Sequence, residues 1–335
     1  MDMKDLLGFG KPITKLIEVV SSATGRVTRS YFTKKDADAT AYKIRILADA
    51  LHDSKKLLGD AAYAEDGLTL TAAHQPEVLP APPQLEERAL ARASFQESKK
   101  QLNVESVVQH AAEELLDKET VSDEKVDEDW VSRFFSIAEN ISSEEMQTLW
   151  GKILAGEVRQ PNTYSLRTLD TLKNLTKKDA EVFAKVAQAA LVGGKTAFTL
   201  RFIQHEKIFE EQFSIKVGDI LLLKELGLMA VPDLSFRILA QPMERTETLI
   251  YGNNLIVLEI KPSERNLLID AEIYTEVGKE LLSLVEITPN IKYVEEFAKT
   301  IPKETAQVLL ANITSQTETM IHYEGLHEIL PTDAI

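Results

Sequence analysis

The sequence predicts a mainly α-helical chain with an α+β C-terminal part, and three observations carry that expectation. Residues 127–192 show apolar residues at helical spacing, interrupted by residues suited to capping helix starts. Four prolines within "HQPEVLPAPPQ" cannot sustain a helix and separate the N-terminus from the remainder of the chain. Beyond Gly193-Gly194 the pattern changes, and "TLIYGNNLIVLEI" reads as two β-rich runs around Gly252-Asn253-Asn254.

In chain order, residues 1–58 read as amphipathic helices. Ile13, Leu16, Ile17 and Val20 fall at i, i+3, i+4 spacing after Pro12, and a second helix is expected from Lys35 to Leu58. Residues 59–83 read as a Pro-rich linker. A long helix is expected over 84–120, rich in Ala, Glu, Leu and Gln, with an apolar stripe thin enough to suit packing on a partner.

Residues 121–192 are expected to form one module of four short helices. "DEDWVSRFFSIAENI" places Trp130, Phe134, Ile137 and Ile141 on one face. Ser142 with Glu145, and Thr176 with Asp179, have the spacing of capping boxes, and Ser165 opens the helix between them. Over 196–335, a helix ending near Gly227, a hairpin, then a strand leading into "TEVGKELL" follow the order of a winged-helix-like domain. The helix "NIKYVEEFAKTI" and the strands "AQVLLANI" and "TMIHYEGLHEIL" complete the expected α+β part.

The 335 residues hold no cysteine, so disulfides and thiolate metal sites are excluded and a cytoplasmic location is the expectation. The apolar runs fall short of the ~18 residues of a spanning helix, and no signal peptide is read at the start. Net charge is −15, distributed as +3 over 1–60, −12 over 61–150, +4 over 151–195 and −10 over 196–335. The acidic bulk disfavours nucleic acid as a partner, and "VGDILLLKELGLM", the expected recognition helix, offers only Lys224.

"VDEDWVSRFFSIAENISSEEMQTLWGKILAGEVRQPNTYSLRTLDTLKNLTKKDAEVF", Val126 to Phe183, closely resembles a bacterial domain-of-unknown-function family, number twenty-eight-oh-six of that series. The resemblance extends upstream through "GKPITKLIEVVSSATG" and downstream through "TEVGKELL". No activity comes with it. The chain is more loosely similar to the abortive-infection alpha family, which implies a role in anti-phage defence.

No catalytic constellation is recognisable: cysteine is absent and no G-x-S-x-G occurs. "AALVGGKT" departs from a phosphate-binding loop, since Ala189 stands at its first glycine, and Gly193-Gly194 reads as a helix stop. His322 and His327, with Glu324 between them, are the residues an enzyme reading would fall back on. The acids of "DEKVDED" read as solvated groups before a helix start. The expectation is a non-enzyme without cofactor or metal.

The expected binding surface is the N-terminus. Leu6, Leu7, Phe9, Ile13, Leu16, Ile17 and Val20 are concentrated among Lys11, Lys15, Arg26 and Arg29, a composition suited to an anionic lipid surface or a helical partner. The function expected is self-assembly and engagement of a membrane, a phage-derived lipid surface or a protein encoded nearby. The alternatives are a nucleic-acid-binding regulator using Arg159, Arg167, Lys177 and Lys178, and an enzyme with an unrecognised site.

Overall fold

The computed structural model describes residues 10–24, 62–64, 67–69, 85–116, 120–232, 234–264, 266–316 and 320–329. The chain divides into two compact units, residues 1–163 and 164–335. The four short helices expected to form one module are therefore shared between units. Among the described residues, ten α-helices and an eight-stranded sheet make this a mixed α/β protein, with more strand than the sequence led one to expect.

The first unit holds α1 (Lys11–Thr24), a hairpin of β1 (Ala62–Ala64) and β2 (Gly67–Thr69), α2 (Leu85–Leu116), α3 (Glu128–Ala138) and α4 (Glu144–Arg159). The hairpin, with Tyr63 opposite Leu68, falls inside the segment expected to be linker. The helix expected over 35–58 lies outside the described residues.

α2 is covered within its own unit over its second half only. From Leu102 to Leu115 it buries Val104, Val107, Val108 and Ala111, packing on α1, α3 and α4, while its first turns are exposed. α3 adds Trp130 stacked on Phe134 at 5.0 Å, and Phe134 meets Trp150 of α4 at 5.3 Å.

A buried amide chain fastens α2 to the turn before α4. Ser106 Oγ donates to Gln147 Oε1 at 2.7 Å, Gln147 Nε2 donates to the Ile141 carbonyl at 2.8 Å, and Asn103 Nδ2 donates to the Glu139 carbonyl at 2.8 Å. These bonds satisfy carbonyls left open where α3 ends. They also displace the expected capping box. The N-cap of α4 is Ser143, whose hydroxyl bonds the Glu145 carboxylate at 2.6 Å, while Ser142 Oγ faces Asn103 at 3.4 Å. The second expected box does form: Thr176 N–H donates to Asp179 at 2.8 Å and Asp179 N–H to Thr176 Oγ1 at 3.2 Å.

The second unit runs α5 (Leu166–Asn174), α6 (Lys177–Ala187), β3 (Leu191–Gly193), β4 (Thr196–Leu200), α7 (Glu206–Phe213), α8 (Val217–Glu225), β5 (Leu234–Ile238), β6 (Arg245–Tyr251), β7 (Asn254–Ile260), β8 (Leu267–Ile273), α9 (Glu276–Leu282), α10 (Ile291–Lys299), β9 (Ala306–Gln316) and β10 (Ile321–Glu328). The sheet is antiparallel throughout, in the order β10-β9-β7-β6-β3-β4-β8-β5.

Gly193 and Gly194 do not stop a helix. α6 ends at Ala187, and the glycines turn the β3–β4 hairpin, with Gly193 opposite Thr196 and Gly194 in the left-handed region at φ +56°. That conformation suits a two-residue hairpin turn and no side-chain-bearing residue readily. The expected hairpin around Gly252-Asn253 forms, pairing Tyr251 with Asn254, although both of its strands lie within the sheet. Tyr251, Phe209, Phe213 and Tyr293 pack at ring-centroid distances of 5.4–6.4 Å, and the Tyr293 hydroxyl accepts the Leu200 N–H at 2.9 Å.

Gly151 lets α4 approach α2. A Cβ there would lie 2.5 Å from His110 Cβ and 3.0 Å from the Ala111 nitrogen, atoms fixed to the neighbouring backbone. Alanine would gain about 1 kcal/mol of helix propensity but force an overpacking cost of about 1–3 kcal/mol. Gly151→Ala is expected to lower stability on balance, seen as a lower midpoint in denaturant unfolding; a raised midpoint would refute this account of the contact.

Candidate functional site: the outer face of a helix pair

The described apolar residues of the N-terminal surface expected from sequence are turned inward. Ile13, Leu16, Ile17 and Val20 are buried, and α1 packs on α2, α3 and α4 of its own unit. Lys15 is drawn in as well: its Nζ donates to the Ser122 carbonyl at 2.7 Å, and desolvation lowers its pKa despite nearby Asp123 and Glu124. Lys11 is exposed, while Leu6, Leu7, Phe9, Arg26 and Arg29 lie outside the described residues. The reason is ordinary helix physics. A wide apolar stripe is satisfied equally by lipid or by other helices, and here three helices cover it.

The residues of the alternative readings are spread over several elements. Arg159 belongs to the first unit, and exposed Arg167, Lys177 and Lys178 to the second. His322, Glu324 and His327 are strung along β10, opposite Ser315, Asn312 and Leu310. Among the described residues no three His, Asp or Glu side chains group as metal ligands, and no helix is long and apolar enough to cross a membrane.

The surface that stands out is built on α7 and α8. A 3-10 turn, Phe202–Gln204, leads into α7, which ends at Ser214 in the left-handed region, φ 54°. α8 begins where the Lys216 N–H donates to Asp219 Oδ2 at 2.7 Å, and the same oxygen takes Lys185 Nζ of α6 at 2.6 Å. Ile220 and Leu223 point into the core, and Lys224 Nζ reaches Glu272 Oε2 of β8 at 2.7 Å, with both side chains largely buried. Past α8, Met229 bridges Tyr274, tying the segment after the helix to the strand before α9.

With its inner side so fixed, α8 turns Val217 and Leu221, one helical turn apart, to solvent. Ile203 lies on the 3-10 turn that contacts α8, and these three residues are 47–79% exposed. The 3-10 turn is held by Asp270 of β8, which accepts from Gln204 Nε2 at 3.0 Å and Ser235 Oγ at 2.9 Å. Those hydrogen bonds hold the Asp270 carboxyl below its ordinary pKa. Exposed Glu206, Glu210, Glu211 and Glu225 lie along the same two helices. Sequence reading found a helix ending near Gly227 with Lys224 as its one cation; it had no signal for which of its apolar residues would face out.

The fold and this surface define a mixed α/β protein whose second unit offers an exposed apolar helix face. The chain belongs to the family described as protein of unknown function DUF2806, whose model matches residues 87–298, from α2 through nearly all of α10. No curated protein and no solved structure matches it.

Two predictions test this arrangement. Glu272→Gln leaves the Lys224 ammonium without its counter-charge in a site that admits little water. A cost of about 3–5 kcal/mol is expected, whereas Lys224→Met with Glu272→Leu should be near neutral; thermal melting of the two variants separates these outcomes. For Asp270, the depressed folded pKa means its contribution is present above the unfolded value of about 3.9 and is lost as pH falls through the folded one. The stability advantage of the native protein over Asp270→Asn should therefore be full at neutral pH and close on acidification below about pH 4. A gap independent of pH in denaturation curves would be inconsistent with this.

Proposed function

We propose that this chain is a non-catalytic interaction protein whose second unit uses a helix-turn-helix of winged-helix type to hold another protein. Its occupant is an apolar segment flanked by basic residues. The observation that carries the reading is the exposure of Val217 and Leu221 on the outer face of α8, with Ile203 beside them. A helix placed this way in a DNA reader presents cations to phosphates. Here Lys224 is engaged by Glu272 and Lys185 by Asp219, and the exposed Glu206, Glu210, Glu211 and Glu225 outnumber the exposed Lys207 and Lys216. An acidic rim around an apolar centre repels a polyanion and favours a basic amphipathic partner.

Support for membrane engagement through residues 1–58 is reduced by the burial of Ile13, Leu16, Ile17 and Val20. An anti-phage role rests only on the looser family resemblance, and the described residues add nothing to it.

The test is direct binding of three probes to the full chain: a labelled basic, leucine-rich amphipathic peptide, a random-sequence DNA duplex, and anionic phospholipid vesicles. Peptide binding weakened at least about tenfold by Val217→Glu with Leu221→Glu, with folding unchanged by circular dichroism, is the expected result. Duplex binding, vesicle binding, or peptide binding indifferent to these substitutions would overturn the reading.

A further inference from the structure

The eight-stranded sheet has two edges, and they are treated differently. β10 pairs only with β9 among the described residues, and its outward side is blunted. Its register breaks twice, between His322 and Tyr323 and between Glu324 and His327, and Gly325 sits at φ +70°. Exposed Glu324 and Glu328 flank Tyr323 and Leu326. Bulges and inserted charge are the devices by which edge strands resist pairing with another chain.

β5 has no bulge, and its one charged residue is Arg237. It pairs with β8 in unbroken register from Leu234 opposite Ala271 to Ile238 opposite Leu267, and has no second neighbour among the described residues. "LSFRI" holds no lysine, proline or glycine. Phe236 is anchored by stacking on Phe198 at 4.4 Å, so the strand is rigidly presented. Around it Val231, Leu234, Leu239, Met243 and Leu268 are 41–72% exposed. A regular edge guarded by a single charge and bordered by exposed apolar groups is what a protein normally avoids unless something covers it.

We infer that β5 is the seat of a two-fold dimer, in which β5 of one copy pairs antiparallel with β5 of a second and the two sheets become continuous. The choice of a second copy rests on the strand's own pattern. Antiparallel self-pairing centred on Phe236 sets Leu234 opposite Ile238, and Ser235 opposite Arg237, so apolar meets apolar and polar meets polar in both halves. The blunted β10 edge gives the second reason. Pairing of β5 with β10 would be head-to-tail and would grow without closing, whereas β5 with β5 closes at two copies and leaves only guarded edges outside. A five-residue strand pair is small by itself, and the apolar margin supplies the further burial a stable interface needs.

The full chain is tested by analytical ultracentrifugation up to about 100 µM. Two subunits are expected. Leu234→Lys should weaken association at least about tenfold with circular dichroism unchanged; if that variant fails to fold, the cross-linking register decides the matter. Because the chain has no cysteine, the register can be read by cross-linking. Ser235→Cys mixed with Arg237→Cys should form a disulfide between copies far more readily than either alone, since directly opposed residues bring Cβ atoms to about 4.5–5.5 Å. A single-subunit mass, or no preference for the mixed cross-link, would each overturn the inference.

Discussion

The ion pair of Lys224 with Glu272 is the constraint on which the second unit's surface depends. At 2.7 Å, with both side chains largely buried, it cannot be exchanged cheaply for water, so α8 is fixed in rotation against β8. Asp219 adds a second point by joining the α8 start to Lys185 of α6. With Ile220 and Leu223 held inward, a helix this rich in leucine must put some apolar groups outside, and those are Val217 and Leu221. The same pair withdraws from solvent the one lysine within α8. A single electrostatic contact thus sets both the rotation of the helix and the charge left on its outer face.

In the first unit the corresponding constraint is polar satisfaction. The turn between α3 and α4 exposes carbonyls at Glu139 and Ile141 that would be costly to bury unbonded, and Asn103 and Gln147 answer them from two different helices. Once α2 and α4 are locked by that network and by contact at Gly151, their remaining apolar surface needs a cover. α1 provides it, with Lys15 bending to the Ser122 carbonyl so that its charged end stays bonded while its stem lies over the core.

The features legible in the sequence were local ones. Asp127, Ser165 and Thr176 cap the helices they open, with N–H groups of Trp130, Thr168 and Asp179 donating to their side chains, because capping depends on residues three apart. The Gly252-Asn253 turn was legible for the same reason. Failures arose where the answer depended on distant residues. Ser142 has the spacing of a cap but is taken up by Asn103, thirty-nine residues away. Gly193-Gly194 comes soon enough after a helix to pass for its end, yet β3 pairs with β4 and β6. The apolar stripe of α1 has no local mark to distinguish lipid from neighbouring helices. The edge position of β5 was invisible for a related reason: strand order, not composition, makes a strand an edge.

The family match begins at residue 87 and ends at 298, so it takes in α8 and β5 but neither α1 nor the β9–β10 ribbon. That division separates two physical roles. α8 and β5 offer apolar groups to water at a free-energy cost, which is offset only when they are covered by something else. α1 and β9 do the reverse, burying Leu16, Val20, Val308 and Leu310 to complete cores that the matched residues leave open. α1 is therefore best understood as the wall that lets α2 and α4 keep their inner faces dry, and the outer faces of α8 and β5 lie within the family's own span.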